Sequence, residues 1–281
     1  MFLNNKHRVY SAIFYFLCFA VNFGWHGYHG LLLSQLKPVF FLNKPDLTVN
    51  ILLLTNLHHA VIQERVLQVL LDSFYFLITL ALTVSCVAGY RMQYGLAVLT
   101  AIFNLVYAIL LSILSPLSIE GFTGWIFLPL LFVFRSETSF YYALHTMRYF
   151  FLLLFSSAAL WKIRAGGIFN SDQMSAILLK QHAAYLVGSP DNWFAKMVNY
   201  LVVHTQLSFF IYILAFLSEF GFIIGFFTKH FDKILIILYL LFVVFDYFLM
   251  QINYFSWTAF LGCLWFSGYE LNTAATIKKM K

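Results

Sequence analysis

Ser139-Phe-Tyr-Tyr-Ala-Leu-His145-Thr-Met-Arg148-Tyr-Phe-Phe-Leu-Leu-Leu-Phe-Ser-Ser-Ala-Ala-Leu-Trp161 is the stretch on which the reading of this chain turns. It is long enough to cross a hydrocarbon core, which takes about 20 apolar residues in a helix. Yet His145 and Arg148 stand inside it. A charge at mid-bilayer costs from about 3 to more than about 10 kcal/mol, depending on how the cost is measured. Such a residue persists only where it faces protein, a wet cavity or an opposite charge. The run therefore reads as a membrane span with one face turned to a protein interior.

The same pattern repeats in both directions. Asp72, His204, Glu219 and Asp246 also lie in runs of Phe, Leu, Ile, Val and Tyr. Counting such runs gives about eight spans, at 10–33, 68–90, 93–114, 121–134, 139–161, 197–227, 234–250 and 254–267. The fourth, at about 14 residues, suits a short tilted span or a re-entrant piece. The last two share one apolar run, split at Gln251-Ile252-Asn253 because a polar break at membrane depth must sit against protein or water. Composition agrees. The 281 residues are 62% hydrophobic, 20% aromatic and only 10% charged, whereas a soluble domain carries about 25% charge. With 34 Phe to accommodate, lipid must solvate much of the surface. The expected fold is an all-α transmembrane bundle with a polar interior, forming a single integral membrane domain over 1–281.

Two long connections separate the spans. The first, 34–67, carries Pro38, Pro45, the pair His58-His59 and Glu64-Arg65. The second, 162–193, contains Gly166-Gly167 and then Met174–Val187, whose Met174, Ile177, Leu178 and Tyr185 suit an amphipathic helix lying at the interface. The first span follows Lys6 and Arg8 and is too long for a signal-peptide core, so it reads as a retained signal-anchor. With the N-terminus inside, nine Lys and Arg fall on inner segments and seven on outer ones. The inner ones crowd short turns, which weigh more. Both termini are thus expected in the cytoplasm of a bacterial inner-membrane protein, with 34–67 and 162–193 outside. The net charge of +6 sets orientation and implies no nucleic-acid partner. Cys18, Cys86 and Cys263 are scattered through apolar runs and form no CxxC, which argues against a thiol relay or a disulfide scaffold.

Several residues are candidates for chemistry. His145 and Arg148 are three apart on one helical face, with Tyr141 and Tyr142 a turn earlier. Together they read either as a clamp for an anion or carboxylate, or as an Arg snorkelling to the interface. Glu219, in Ala215-Phe-Leu-Ser-Glu-Phe-Gly221, is a candidate buried acid. Its partner must come from another helix, and Arg148 is the first choice; a purely structural salt bridge is the alternative. Asp246 is followed by Gln251 and Asn253, which points to a cavity. Asp72 lies nearer a span's start, where an interfacial position accounts for it. Lys162, at the rim of a span, is either a desolvated base or an interfacial anchor beside Trp161 and Arg164. The histidines lack HExxH or any similar spacing, so neither a metal nor a haem is expected.

Arg148 through Ser157-Ala-Ala-Leu-Trp-Lys-Ile163, then Leu217-Ser-Glu-Phe220, then Phe245-Asp-Tyr-Phe-Leu-Met-Gln-Ile252 resemble the horizontally transferred transmembrane (HTTM) domain. That domain is the membrane part of vitamin K-dependent gamma-carboxylase-like proteins. The likeness covers about residues 140–260. DoxX-like and MauE-like quinone-associated membrane proteins share a similar look. The HTTM resemblance implies that Lys162 is a base toward a quinone-type substrate, at a site facing outward. The family's Phe-His pair stands here as Phe245-Asp246.

Two functions follow as expectations. The first is a small HTTM-like membrane enzyme acting on a quinone-like or lipid molecule in an intramembrane cavity. Lys162 and Glu219 would be catalytic, with His145, Arg148, Asp246 and Tyr142 as the binding shell. The second is a non-enzymatic subunit of a larger complex. Its buried charges would serve helix packing, docking of membrane or periplasmic protein partners, or proton coupling. A transporter comes third, since no paired halves are evident.

Overall fold

The computed structural model describes residues 6–36, 50, 53–115 and 119–267, and every regular element among them is helical. Six helices are long and apolar enough to cross a membrane: α1 Lys6–Tyr28, α2 Arg65–Ala88, α3 Gln93–Leu114, α4 Glu137–Arg164, α5 Thr205–Phe227 and α6 Asp232–Met250. At about 1.5 Å per residue they run about 28–42 Å, which matches a hydrocarbon core of about 30 Å. Three further apolar segments are shorter: Thr123–Val133, Trp193–Val203 and Phe255–Phe266. The expected spans 121–134 and 254–267 correspond to the first and last of these. Each mixes α-helix with 3-10 turns, Pro129 opening one such turn at Leu128–Val133.

Local chemistry sets the helix ends. α1 stops before Gly30, whose φ of 71° suits a residue without a Cβ. α2 ends on Gly89 at φ 70° for the same reason. The apolar run 197–227 is not one helix. It breaks at His204, whose Nδ1 takes up the Tyr200 carbonyl at 2.8 Å and ends Trp193–Val203. The amphipathic stretch 174–187 is likewise broken at His182, into Gln173–Gln181 and Ala183–Gly188. The break expected at Gln251 is present, with Gln251 at φ 55°. His58 and His59 lie on a short helix, Leu57–Gln63. Pro38 and Pro45, with the lysines of that connection and of the C-terminal tail, lie outside the described residues.

The chain divides into two compact units, 1–147 with 254–281, and 148–253, the boundary falling within α4. In the first unit, α1 packs on α2, α2 on α3, and the segment Ile119–Val133 on α3. Its core is aromatic. Phe19 meets Tyr75 edge-on at 4.8 Å and Trp125 at 5.5 Å, and Tyr75 stacks on Tyr107 at 3.9 Å. Some polar groups inside it are bonded, while the Tyr75 hydroxyl and the Thr100 Oγ1 are buried without a hydrogen bond. Asn104 donates to the Trp125 carbonyl at 2.6 Å. Arg8 donates to the Phe134 carbonyl at 2.6 Å, beside the Phe140 ring. Asp72 is buried in protein. It accepts from the Leu33 and Ser34 amides at 3.2 and 3.0 Å and from the Tyr107 hydroxyl at 2.6 Å, which fixes the chain leaving α1. In the second unit, α5 packs on α6 and on Gln173–Gln181, which also meets Trp193–Val203.

Candidate functional site

Two buried ion pairs organise the unit 148–253. Arg148 is fully buried and forks onto Asp232, with Nε 2.8 Å from one carboxylate oxygen and Nη2 2.5 Å from the other. Nη2 also donates to the carbonyls of Gly225 and Thr228 at 2.9 and 3.3 Å. The fork thereby ties α4 to the end of α5 and the first turn of α6. Asp232 lies where the helix dipole favours a negative charge.

The second pair is Lys162 with Glu219. The ammonium lies 2.8 Å from both carboxylate oxygens, with hydrogen-bond geometry toward Oε1. Glu219 is buried, and the Lys162 side chain is 25% exposed. The last turn of α4 divides its labour. Trp161 is 61% exposed and stacks under Arg164 at 4.6 Å, as an interfacial anchor does, while Lys162 turns inward. Glu219 therefore does not meet Arg148. Arg148 is committed to Asp232, and the expected Arg148–Glu219 pair is corrected to Lys162–Glu219.

Two further groups join Lys162 and Glu219. Tyr212, two turns earlier on α5, puts its ring 5.4 Å from Nζ of Lys162. Its hydroxyl lies so close to Gly167 that a Cβ there would sit 2.5 Å from it and force the Tyr212 side chain to shift. Asp246, on α6, is near enough to Lys162 and Glu219 to interact with both charges. Its Oδ2 is buried and no protein donor reaches it.

An apolar cap closes this end of the unit. Met174, Leu178, Phe194, Val198 and Leu201 from the shorter helices form one cluster with Tyr212 and Leu249. The cap is tied down by polar contacts. Ser175 and Ser208 share a hydrogen bond of 2.7 Å, His182 meets the Leu249 carbonyl at 2.8 Å, and Gln181 donates to the Met250 carbonyl. The two bonds on Leu249 and Met250 satisfy carbonyls that the end of α6 would otherwise leave open.

The structure thus brings together Lys162, Glu219 and Asp246 of the expected site, and places Arg148 in a separate pair with Asp232. Tyr142 is 67% exposed, and it and the half-buried His145 belong to the other unit. Tyr212 and Asp232 escaped the sequence reading. Tyr212 had a signal, since seven residues before Glu219 is the same face of the helix. Asp232 stands in the first turn of α6, where an acid is ordinary and gives no sign of a distant partner. Chemically, the cluster is two carboxylates, one ammonium and one phenol beneath an apolar cover. It can donate to a carbonyl or phosphate oxygen, accept from a hydroxyl, and move a proton. Comparison with protein-family models, curated proteins and solved structures finds no match to this chain.

Proposed function

We propose that this chain is an integral membrane protein that binds the polar head of a small quinone-like or lipid molecule at the Lys162–Glu219–Asp246 cluster and exchanges a proton with it. The observation that carries this reading is chemical imbalance. Arg148–Asp232 is a two-point fork whose Nη2 also reaches two backbone carbonyls and whose buried Nη1 meets no protein acceptor, and both of its charges are matched one to one. The Lys162 cluster instead holds a second carboxylate with an unmatched oxygen, next to a partly exposed ammonium. Buried polar atoms are ordinarily bonded, and an exception calls for an explanation, such as a catalytic role or a bound water or ion. Lys162 donates to Glu219 as observed, so a substrate must compete with Glu219 for the amine. In the HTTM-type reading Lys162 is the base and Glu219 positions it.

The finer topology belongs to the same proposal: about eight spans, both termini cytoplasmic in a bacterial inner membrane, an interfacial helix near 174–187, and the Lys162 end of the bundle outside. One observation favours a second reading, a non-enzymatic subunit of a larger complex. The chain buries another ion pair, Arg148–Asp232, that joins separate helices, and Lys162–Glu219 would then be a second packing pair. Native mass spectrometry on protein gently extracted from its own membrane separates the two. A monomer with a quinone- or lipid-sized adduct, lost in Lys162→Ala, is the expected result. Stoichiometric protein partners without an adduct would overturn the small-molecule reading.

A further inference from the structure

Arg8, in the first turn of α1, is a buried cation of a different kind from Arg148. It is 6% exposed. Its Nη2 donates to the Phe134 carbonyl at 2.6 Å and to the Arg135 carbonyl at 3.4 Å. The guanidinium lies 5.3 Å from the centre of the Phe140 ring. Nε is buried and meets no acceptor. Among the described residues no carboxylate comes within ion-pair distance of Arg8. Glu137, two residues beyond Arg135, stands in the first turn of its own helix and pairs with neither arginine. Carbonyls and a ring offset part of the charge without neutralising it. Buried charges are ordinarily paired.

The surroundings add positive charge. The first turn of a helix favours an anion, yet α1 opens Lys6-His7-Arg8 with no acid in that turn. The exposed Arg135 brings a second guanidinium, 5.3 Å from the centre of the Tyr94 ring, to the strand of chain that Arg8 holds. Arg8 and Arg135 stand at the starts of α1 and α4, two membrane-spanning helices, and lipid headgroups lie at the ends of such spans. We infer that Arg8 is the centre of a phosphate-binding site, filled by the headgroup of an anionic lipid. A guanidinium presents planar donors that match phosphate oxygens, and basic pockets between spanning helices take anionic headgroups. A zwitterionic lipid fits less well, because its own cation would face two arginines. The site lies within the unit 1–147 with 254–281, and Lys162 takes no part in it.

Thermal melts of the full chain in maltoside micelles, which hold no phosphate, test this. Phosphatidylglycerol in excess should raise the melting temperature by about 5 °C. Phosphatidylcholine should raise it less, and inorganic phosphate not at all. Arg8→Met removes the unpaired charge and should abolish the difference between the two lipids. Arg8→Lys keeps the charge but loses the planar fork; it should lose most of that difference, and it serves if the methionine variant does not fold. Arg91→Gln removes an exposed charge from the turn before α3 and should keep the difference. No gain from phosphatidylglycerol in the unmutated chain, or an equal gain in Arg8→Met, would overturn the site. An equal gain from inorganic phosphate would overturn the lipid as its source. A gain lost in Lys162→Ala but kept in Arg8→Met would put the lipid at the other cluster and overturn this one.

Discussion

Arg148 shows what a buried charge demands at the scale of one residue. Its Nε and Nη2 fork onto the two oxygens of Asp232, and both residues sit out of water. Arg148→Ala leaves Asp232 buried without its cation and is expected to cost about 3–5 kcal/mol, measured as thermal stability in detergent. The double change Arg148→Met with Asp232→Leu should recover most of that loss, since a buried pair replaced by apolar groups is often neutral or better. A double variant no more stable than the single one would contradict the packing role. Lys162 gives the opposite test. Lys162→Ala strands Glu219 and is expected to cost about 1–3 kcal/mol. Lys162→Ala with Glu219→Leu should restore stability but not the adduct. Return of the adduct in that double variant would remove both residues from the binding site.

Helices meet closely at glycine, and two of these approaches make different demands. At Gly225 a Cβ would lie 2.6 Å from Leu152 Cδ2, a flexible side-chain end, beside the backbone carbonyl that serves Arg148. Gly225→Ala is expected to cost about 1–3 kcal/mol as overpacking. Leu152→Ala should relieve it in part, giving a double variant more stable than the sum of the two losses. At Gly124 a Cβ would lie 2.2 Å from the Ser256 backbone oxygen. No side-chain change relieves that contact, so Gly124→Ala should destabilise more, and rescue by any neighbouring truncation should fail. Thermal melts of the variants separate the two cases.

Topology is the question at the scale of the whole molecule, and it turns on one short segment. With the N-terminus inside, as proposed, the connection after α4 lies outside if Thr123–Val133 crosses the bilayer and inside if it does not. Ser189 is an exposed residue of that connection, and the native cysteines Cys18, Cys86 and Cys263 are buried. Ser189→Cys should therefore react with a membrane-impermeant thiol reagent added to intact cells. Labelling only after the membrane is opened would contradict the eight-span proposal and put the Lys162 end of the bundle on the cytoplasmic side.

The sequence by itself determined that this is a helical membrane protein, because hydropathy and span length are properties of contiguous residues. It placed α3 at 93–114 and the break at Gln251 for the same local reasons. It also picked Lys162, Glu219 and Asp246 as the polar residues to watch, since a charge in an apolar run is visible without knowing its neighbours. What it did not determine is which charges meet. Lys162 finds Glu219 and Arg148 finds Asp232 across 57 and 84 residues. Those distances are closed by the rotation and depth of separate helices, which no local pattern records. The breaks at His204 and His182 escaped for a related reason: hydropathy runs straight through them, and only the packing of the cap onto α5 and α6 requires the chain to turn there.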